Sequence, residues 1–192
     1  RRSLGTLKEN YERGQKLGRG AYGEVILVTS RATKEQRVCK QIDKRFQKVQ
    51  PEDLVNEVDL LRALDHPHII RVFEFFENED FFQMIMEPVL GGTLSRVVTG
   101  VFHESERSSP KPEGFTEAWI ATVLYQILGA LAYAHNVAGL IHKDLKTDNV
   151  LLAARPDLTV QELLLEPLHA MLADFGVSEV FSNIAEPLDT VA

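Results

Sequence analysis

Two short segments of this sequence concentrate side chains that can hold a divalent cation and move a proton. Within residues 142–149, Asp144, Lys146 and Asn149 supply a carboxylate, a cation and an amide, and Asp174 opens an Asp-Phe-Gly turn further on. Carboxylate and amide oxygens suit Mg²⁺, and a carboxylate can take or orient the proton of an attacking hydroxyl. These residue types indicate phosphoryl transfer, with Asp144 as the candidate base and Lys146 balancing charge on the transferring group.

Asn149 and Asp174 are then the candidate magnesium ligands, holding the ion against phosphate oxygens. An alternative interpretation treats residues 144–149 as an ordinary polar turn between a helix and a strand at 150–152. Length and polarity alone favour that alternative. The additional presence of His142 and Leu145 in the same segment favours a catalytic loop.

A glycine-rich segment lies far upstream, where Gly18, Gly20 and Gly23 follow the spacing Gly-x-Gly-x-x-Gly. Glycine lets backbone N–H groups approach phosphate oxygens because no Cβ intervenes. Dinucleotide-binding folds share this spacing but require a helix directly after the loop, whereas residues 24–28 are typical of a strand. The Gly-Lys-Ser/Thr sequence of a Walker A loop does not follow either. The segment therefore predicts a phosphate-binding loop between two strands.

Two charged side chains occupy positions that their neighbours suggest are buried. Lys40 alternates with Val38 and Ile42 and so points to the same face of its strand. Glu57 falls on the apolar stripe of the helix predicted over residues 51–64. Burying either charge alone would cost several kcal/mol, roughly, so we expect the two to pair with each other. The alternative is that each extends separately to solvent.

The periodicity of apolar residues predicts a strand-rich half followed by a helical half. A proline and acidic residues at 51–53 indicate the start of a helix, and a Ser- and Pro-containing stretch, residues 99–114, is predicted to be a surface loop. A long helix is predicted from Phe115 to Asn136, with its apolar side chains at helical spacing. The predicted strands are Val25–Val28, Val38–Ile42, Val72–Phe76 and Phe82–Met86.

Composition narrows the classes of partner and compartment. A net charge of −7 leaves no basic stripe for nucleic acid. Cys39 is the only cysteine, which excludes an internal disulfide or a cysteine zinc site and fits a reducing compartment. No signal peptide is visible, and the apolar stretch 123–141 is interrupted by Gln126, so we expect a buried helix in a cytoplasmic protein rather than a membrane span.

The ordered occurrence of these motifs resembles the eukaryotic protein kinase domain. Lys146 is similar to the serine/threonine branch. Three segments, residues 37–40, 64–69 and 174–178, resemble the calcium/calmodulin-dependent group and especially the calcium-dependent protein kinases. The resemblance implies an α+β fold of two lobes, with a five-stranded antiparallel sheet and helix C in the first. It also implies ATP and Mg²⁺ as cofactors and proteins as substrates. Any calcium-sensing region would lie outside these residues.

The same resemblance assigns roles around the nucleotide. Lys40 would hold the α and β phosphates and Glu57 would hold Lys40, which makes both of them catalytic residues alongside Asp144 and Lys146. Met86 would be the gatekeeper before a hinge at residues 88–91. Val72, Leu61, His142 and Phe175 would stack into the spine of the active arrangement. The full set implied to contact the nucleotide is Leu17, Gly18, Gly20, Gly23, Val25, Val38, Lys40, Met86, Glu87, Val89 and Leu151.

Several features depart from the family pattern. Lys143 replaces the usual arginine before the catalytic aspartate, which should weaken capture of a phosphorylated activation loop. Val38 stands where alanine is usual, and Thr93 stands where basophilic members carry a glutamate. Residues 154–169 form an expected insertion. With lobes at 1–87 and 92–192, the sequence is expected to be a piece of a longer kinase, and a pseudokinase or nucleotide-binding scaffold remains the alternative function.

Overall fold

A five-stranded antiparallel sheet occupies the N-terminal part of the computed structural model, which describes residues 5–20, 23–46, 61–107, 114–174 and 179–180. The spatial order of its strands is β1-β2-β3-β5-β4. A short helix, α1 (Leu7–Asn10), leads into the sheet. The strands are β1 (Tyr11–Gly20), β2 (Gly23–Ser30), β3 (Gln36–Asp43), β4 (Val72–Glu77) and β5 (Phe81–Met86).

Alternation along the strands divides the sheet into two buried faces, as the period of two requires. On one face Ile26, Cys39 and Ile85 are fully buried and form a small core with Tyr11 and Phe76. The opposite face contributes to the main core, which continues into the helical part of the chain; its sheet members include Ile42, Phe75, Phe82 and Met84. The strands predicted from sequence are confirmed, and each observed strand is longer by one or two residues at one or both ends.

The helical part begins after the sheet with α2 (Leu94–Arg107) and α3 (Glu117–Ala138). The prediction of a surface loop over residues 99–114 was wrong as far as Arg107, because α2 continues through it. Leu94, Val97 and Val101 are buried at helical spacing, and this packing outweighs the polar composition. Of the helix predicted over residues 51–64, residues 61–64 are described; 61–63 are helical, and Leu64 lies just beyond the helix.

Helix α3 carries apolar side chains on both sides but buries only one of them, which corrects the prediction of a buried helix. Val123, Ile127, Ala130 and Ala134 face the core. Its opposite side is exposed, including Ile120, Leu124, Tyr125, Leu128 and Val137. Among the described residues this is the single helix whose length and composition would also suit a membrane span. It begins at a Thr116 cap, whose Oγ1 accepts from the Trp119 N–H at 3.1 Å.

Two pairs of short antiparallel strands follow α3, and the candidate catalytic segments lie beside them. β6 (Leu140–Ile141) pairs with β9 (Glu179–Val180), and β7 (Val150–Leu152) pairs with β8 (Ala170–Leu172). The connection from β7 to β8 contains the helix α4 (Val160–Leu165), which begins at a capping box. Helix α4 packs on α2, where Gly100 leaves room for a Val160 methyl group that would lie 2.5 Å from an added Cβ.

Candidate active site

A cavity of ≈ 320 Å³ lies between the five-stranded sheet and the helical part of the chain. All five strands of the sheet contribute to one wall, and the other wall comes from β7, β8 and the residues that flank them. Nine of the eleven residues predicted to contact a nucleotide line this cavity: Leu17, Gly18, Val25, Val38, Lys40, Met86, Glu87, Val89 and Leu151. The structure therefore brings together side chains from both halves of the sequence.

Gly20 and Gly23 are the two predicted residues outside the lining. They pair with each other at the tip of the β1-β2 hairpin. Gly23 also approaches β3 so closely that an added Cβ would lie 1.8 Å from the Gln41 carbonyl oxygen. A side chain at position 23 would therefore force the strands apart. Gly23 is required for strand packing, a reason that the phosphate-loop pattern did not reveal.

Lys40 crosses the cavity from β3 and reaches Asp174. Its Nζ forms a short ion pair with Asp174 Oδ1, and its side chain is 18% exposed. The predicted partner, Glu57, lies outside the described residues, so the Lys40–Glu57 pair stays a prediction. The observed contact joins the lysine expected to bind phosphates to a carboxylate expected to bind magnesium. The Lys40 ammonium and the Asp174 carboxylate thus neutralise each other across the cavity.

Asp144 and Lys146 form a second ion pair, with 2.7 Å between Lys146 Nζ and Asp144 Oδ2. The hydrogen bond from Lys146 lowers the pKa of the Asp144 carboxyl, and the same contact raises the pKa of Lys146. The Asp144 carboxylate is therefore ionised at neutral pH and can accept hydrogen bonds. Its backbone N–H donates to the His142 carbonyl at 2.8 Å, which fixes the turn that carries it.

Asn149 connects Asp144 to the cavity wall. Its Nδ2 donates to the carbonyl oxygen of Asp144 at 2.8 Å and to Asp144 Oδ2 at 3.0 Å. Because the amide nitrogen is engaged in this way, the amide oxygen is the atom left to bind a cation. Asn149 is buried and lines the cavity together with Asp174. These oxygen donors fit a small hard cation such as Mg²⁺.

His142 couples the candidate catalytic segment to the residue before Asp174. The ring is 2% exposed and its Nε2 lies 2.8 Å from the carbonyl oxygen of Ala173. Since a carbonyl oxygen only accepts, Nε2 must carry the proton. Asp174 has a φ of 62° and Lys143 a φ of 61°, the left-handed region that non-glycine residues seldom occupy. Such backbone conformations persist where the surrounding structure holds them, and they concentrate at functional sites.

Comparison with known proteins gives the family of this chain. The protein kinase domain family matches residues 11–192. The chain belongs to this family. It is 34% identical to a probable myosin light chain kinase of Dictyostelium discoideum over 91% of the chain and 48% of that protein. It is 37% identical to the serine/threonine-protein kinase PAK mbt of Drosophila melanogaster over 79% of the chain and 22% of that protein.

A calcium-dependent protein kinase 4 of Plasmodium falciparum is 30% identical over 95% of the chain and 31% of its own length. The chain thus spans half or less of these three relatives. The α+β architecture with its five-stranded antiparallel sheet is that of the protein kinase domain. The resemblance to serine/threonine kinases, including the calcium-dependent and calmodulin-dependent ones, is confirmed.

Kinase motifs do not reveal how Glu87, directly before the expected hinge, is held. The Glu87 Oε1 accepts from the backbone N–H of Arg71 at 2.5 Å, and the Glu87 N–H donates to the Arg71 carbonyl at 3.0 Å. These two bonds fix a residue that is expected to contact the nucleotide. Thr93 and Asp148 also line the cavity, although neither residue was predicted to contact the nucleotide. Thr93 is held there by an antiparallel bridge to Leu151, a long-range contact that no motif reports.

Of the expected spine, Val72 and Leu61 are buried and line the same cavity. His142 is also buried, and Phe175 lies outside the described residues. Among the residues that the structure describes, no group of three or more histidine, cysteine, aspartate or glutamate side chains could hold a metal ion. A cation at this site would therefore need the amide of Asn149 and the nucleotide phosphates as ligands in addition to Asp174.

Proposed function

We propose that this kinase domain transfers the γ-phosphate of ATP to serine or threonine hydroxyls of proteins, using Mg²⁺. The observation that carries the proposal is the meeting of Lys40, Asn149 and Asp174 at one cavity, with Asp144 bonded to Asn149. These side chains come from segments far apart in the sequence. Their convergence supplies a cation for phosphates, oxygen ligands for a metal ion and a base for a hydroxyl.

Each residue has a distinct part in this mechanism. The adenine ring would lie between Val25 and Val38 on one side and Leu151 on the other. Lys40 would exchange its contact with Asp174 for the α and β phosphates, which frees the Asp174 carboxylate to bind magnesium together with Asn149. Bound magnesium would neutralise charge on the phosphate oxygens.

Asp144 is ionised and would orient the substrate hydroxyl and accept its proton. Lys146 already contacts Asp144 Oδ2 at 2.7 Å and would offset the charge of the transferring phosphoryl group. Positioning and charge stabilisation account for most of the catalysis in this mechanism, because there is little covalent chemistry for the protein to perform.

Transfer of labelled phosphate to a basic protein substrate tests the proposal. We expect Asp144→Asn to reduce kcat by about 100-fold or more, since general-base catalysis contributes that much. Asp157→Asn, at an exposed turn away from the cavity, is the matched control and should retain activity. Stabilisation of the wild-type protein by ATP and Mg²⁺ with no transfer to any substrate would instead favour a pseudokinase scaffold.

We also propose a cytoplasmic location and calcium control, the latter suggested by the relatives. Two of them are named as calcium-dependent or calcium/calmodulin-dependent kinases. The chain itself contains no Asp-x-Asp-x-Asp-Gly loop, so calcium control would act through a region outside it. Dependence on ATP and a free buried cysteine fit the cytoplasm. Activity of the full-length protein that does not change when calcium is removed would contradict calcium control.

A further inference from the structure

Strand β8 leads directly to Asp174 and so determines where that carboxylate lies. The strand is short, and its pairing with β7 runs from Val150–Leu172 to Leu152–Ala170. A tight hairpin would fix this register through its turn, but here residues 153–169 separate the two strands. A long connection restrains its ends only weakly. Other contacts must therefore hold β8 in register.

Two histidines provide such contacts: His169 directly precedes the strand, and His68 lies in the segment that pairs with it. His68 Nδ1 lies 2.9 Å from the carbonyl oxygen of Ala170, at the first residue of β8. In return, His169 Nε2 lies 2.8 Å from the carbonyl oxygen of Pro67, next to His68. Because a carbonyl oxygen only accepts, both ring nitrogens must donate. The side chain of each segment thus binds the backbone of the other.

These side-chain bonds continue a backbone ladder between the same segments. The Leu172 N–H donates to the His68 carbonyl at 2.8 Å, and the Ile70 N–H donates to the Leu172 carbonyl at 3.0 Å. The rings of His68 and His169 contact each other edge to face, with centroids 4.9 Å apart. The reciprocal histidine pair therefore clamps the start of β8, four to five residues before Asp174, to the loop at residues 65–70.

Helix α3 also contacts the start of β8, through the side chain of Gln126. Gln126 Oε1 accepts from the Ala170 N–H at 2.7 Å, and its Nε2 donates to the Leu168 carbonyl at 2.9 Å. With this bond and the one from His68, both backbone groups of Ala170 are occupied by side chains. Side-chain hydrogen bonds thus hold the first residue of β8 in place, a task that a short turn performs in a tight hairpin.

We propose that His68 and His169 are positioning residues that place Asp174 for magnesium binding. The inference depends on the proposed function, because Asp174 must be a magnesium ligand for its placement to matter. The two residues touch neither nucleotide nor metal and act through β8. Their loss should weaken the contribution of Mg²⁺ to ATP binding while leaving contacts with the adenine ring unchanged.

The experiment measures ATP affinity by calorimetry in Mg²⁺ and in chelator, and takes the ratio of the two affinities. The double variant His68→Leu/His169→Leu removes both donors, and we expect the ratio to fall about fivefold or more, the change that losing one net hydrogen bond implies. Affinity in chelator should stay unchanged. Because His169 is exposed, the single variant His169→Leu serves if the double variant does not fold.

Isosteric replacement separates positioning from general structural support. Asparagine carries its amide nitrogen where histidine carries Nδ1, and glutamine carries its amide nitrogen where histidine carries Nε2. His68→Asn/His169→Gln should therefore retain the wild-type ratio. The exchanged pair, His68→Gln/His169→Asn, has the same composition with misplaced donors and should behave like the leucine variant.

The outcomes distinguish the two proposals. No binding of ATP by the wild-type protein in either condition would contradict the proposed function. Binding that Mg²⁺ strengthens, but with the same ratio in the leucine and wild-type proteins, would overturn the positioning role alone. An equal loss of affinity with and without Mg²⁺ would also overturn it, because that pattern indicates general damage to the site.

Discussion

The connection between β7 and β8 contains two leucines on one short helix, which allow a quantitative test of how it packs. Leu163 and Leu165 both lie on α4, yet Leu163 is 3% exposed and Leu165 is 82% exposed. Leu163 belongs to the main core, together with Leu158 from the same connection. Replacing each leucine with alanine therefore removes the same atoms from two different environments.

The expected cost follows from this burial. A Leu→Ala change in a packed core costs about 2–5 kcal/mol, from lost transfer free energy and the cavity left behind. Because α4 has only six residues and can partly relax, we expect about 2–3 kcal/mol for Leu163→Ala, near the lower end of the range. Leu165→Ala should change the free energy of unfolding by about 0.5 kcal/mol or less.

Urea denaturation followed by circular dichroism measures both values. The midpoint should fall for Leu163→Ala with an unchanged slope, and should stay near the wild-type value for Leu165→Ala. Equal midpoints for the two variants would refute the claim that residues 154–169 are part of the domain core. The segment would then be a surface loop whose helix adds nothing to stability.

Three further predictions concern titratable groups. Burial raises the pKa of Cys39 to about 12, so a thiol reagent at pH 8 should label it only in denaturant; labelling of the native protein would contradict its burial. The hydrogen bond from Lys146 lowers the pKa of Asp144, so Lys146→Met should raise that pKa and move the acid limb of the kcat/KM profile to higher pH. A limb that does not move would exclude Asp144 as the titrating base. Burial, followed by the charge of His68, lowers the pKa of His66 below 6.5. The stability that neutral His66 contributes is therefore present above pH 6.5 and lost as the pH falls through the folded-state value, and His66→Asn should flatten the stability profile below pH 6.5.

The sequence predicted the strands well because alternation reports directly on which face is buried. Val38, Lys40 and Ile42 share a face, and Lys40 reaches the cavity as that alternation implied. The motif residues Asp144 and Asn149 meet because both lie on one short turn. Local spacing is enough to bring such residues together.

The errors share a physical cause, which is that tertiary packing decides what local composition leaves open. Helix α2 continues through a stretch that looked like a loop, because Val97 and Val101 pack into the core. The outward apolar side chains of α3 could not be distinguished from core residues by periodicity. His68, His169 and Gln126 bind backbone carbonyls and N–H groups of distant segments, and no sequence motif reports such contacts.

The most direct test of the catalytic site is phosphate transfer by the Lys40→Met variant. Methionine has a similar length but no charge, so the fold should remain while the contact with Asp174 and the expected contact with phosphates are lost. We predict that the rate of transfer falls by about 100-fold or more while thermal stability without nucleotide changes little. Turnover close to the wild-type rate in a folded Lys40→Met protein would contradict the account.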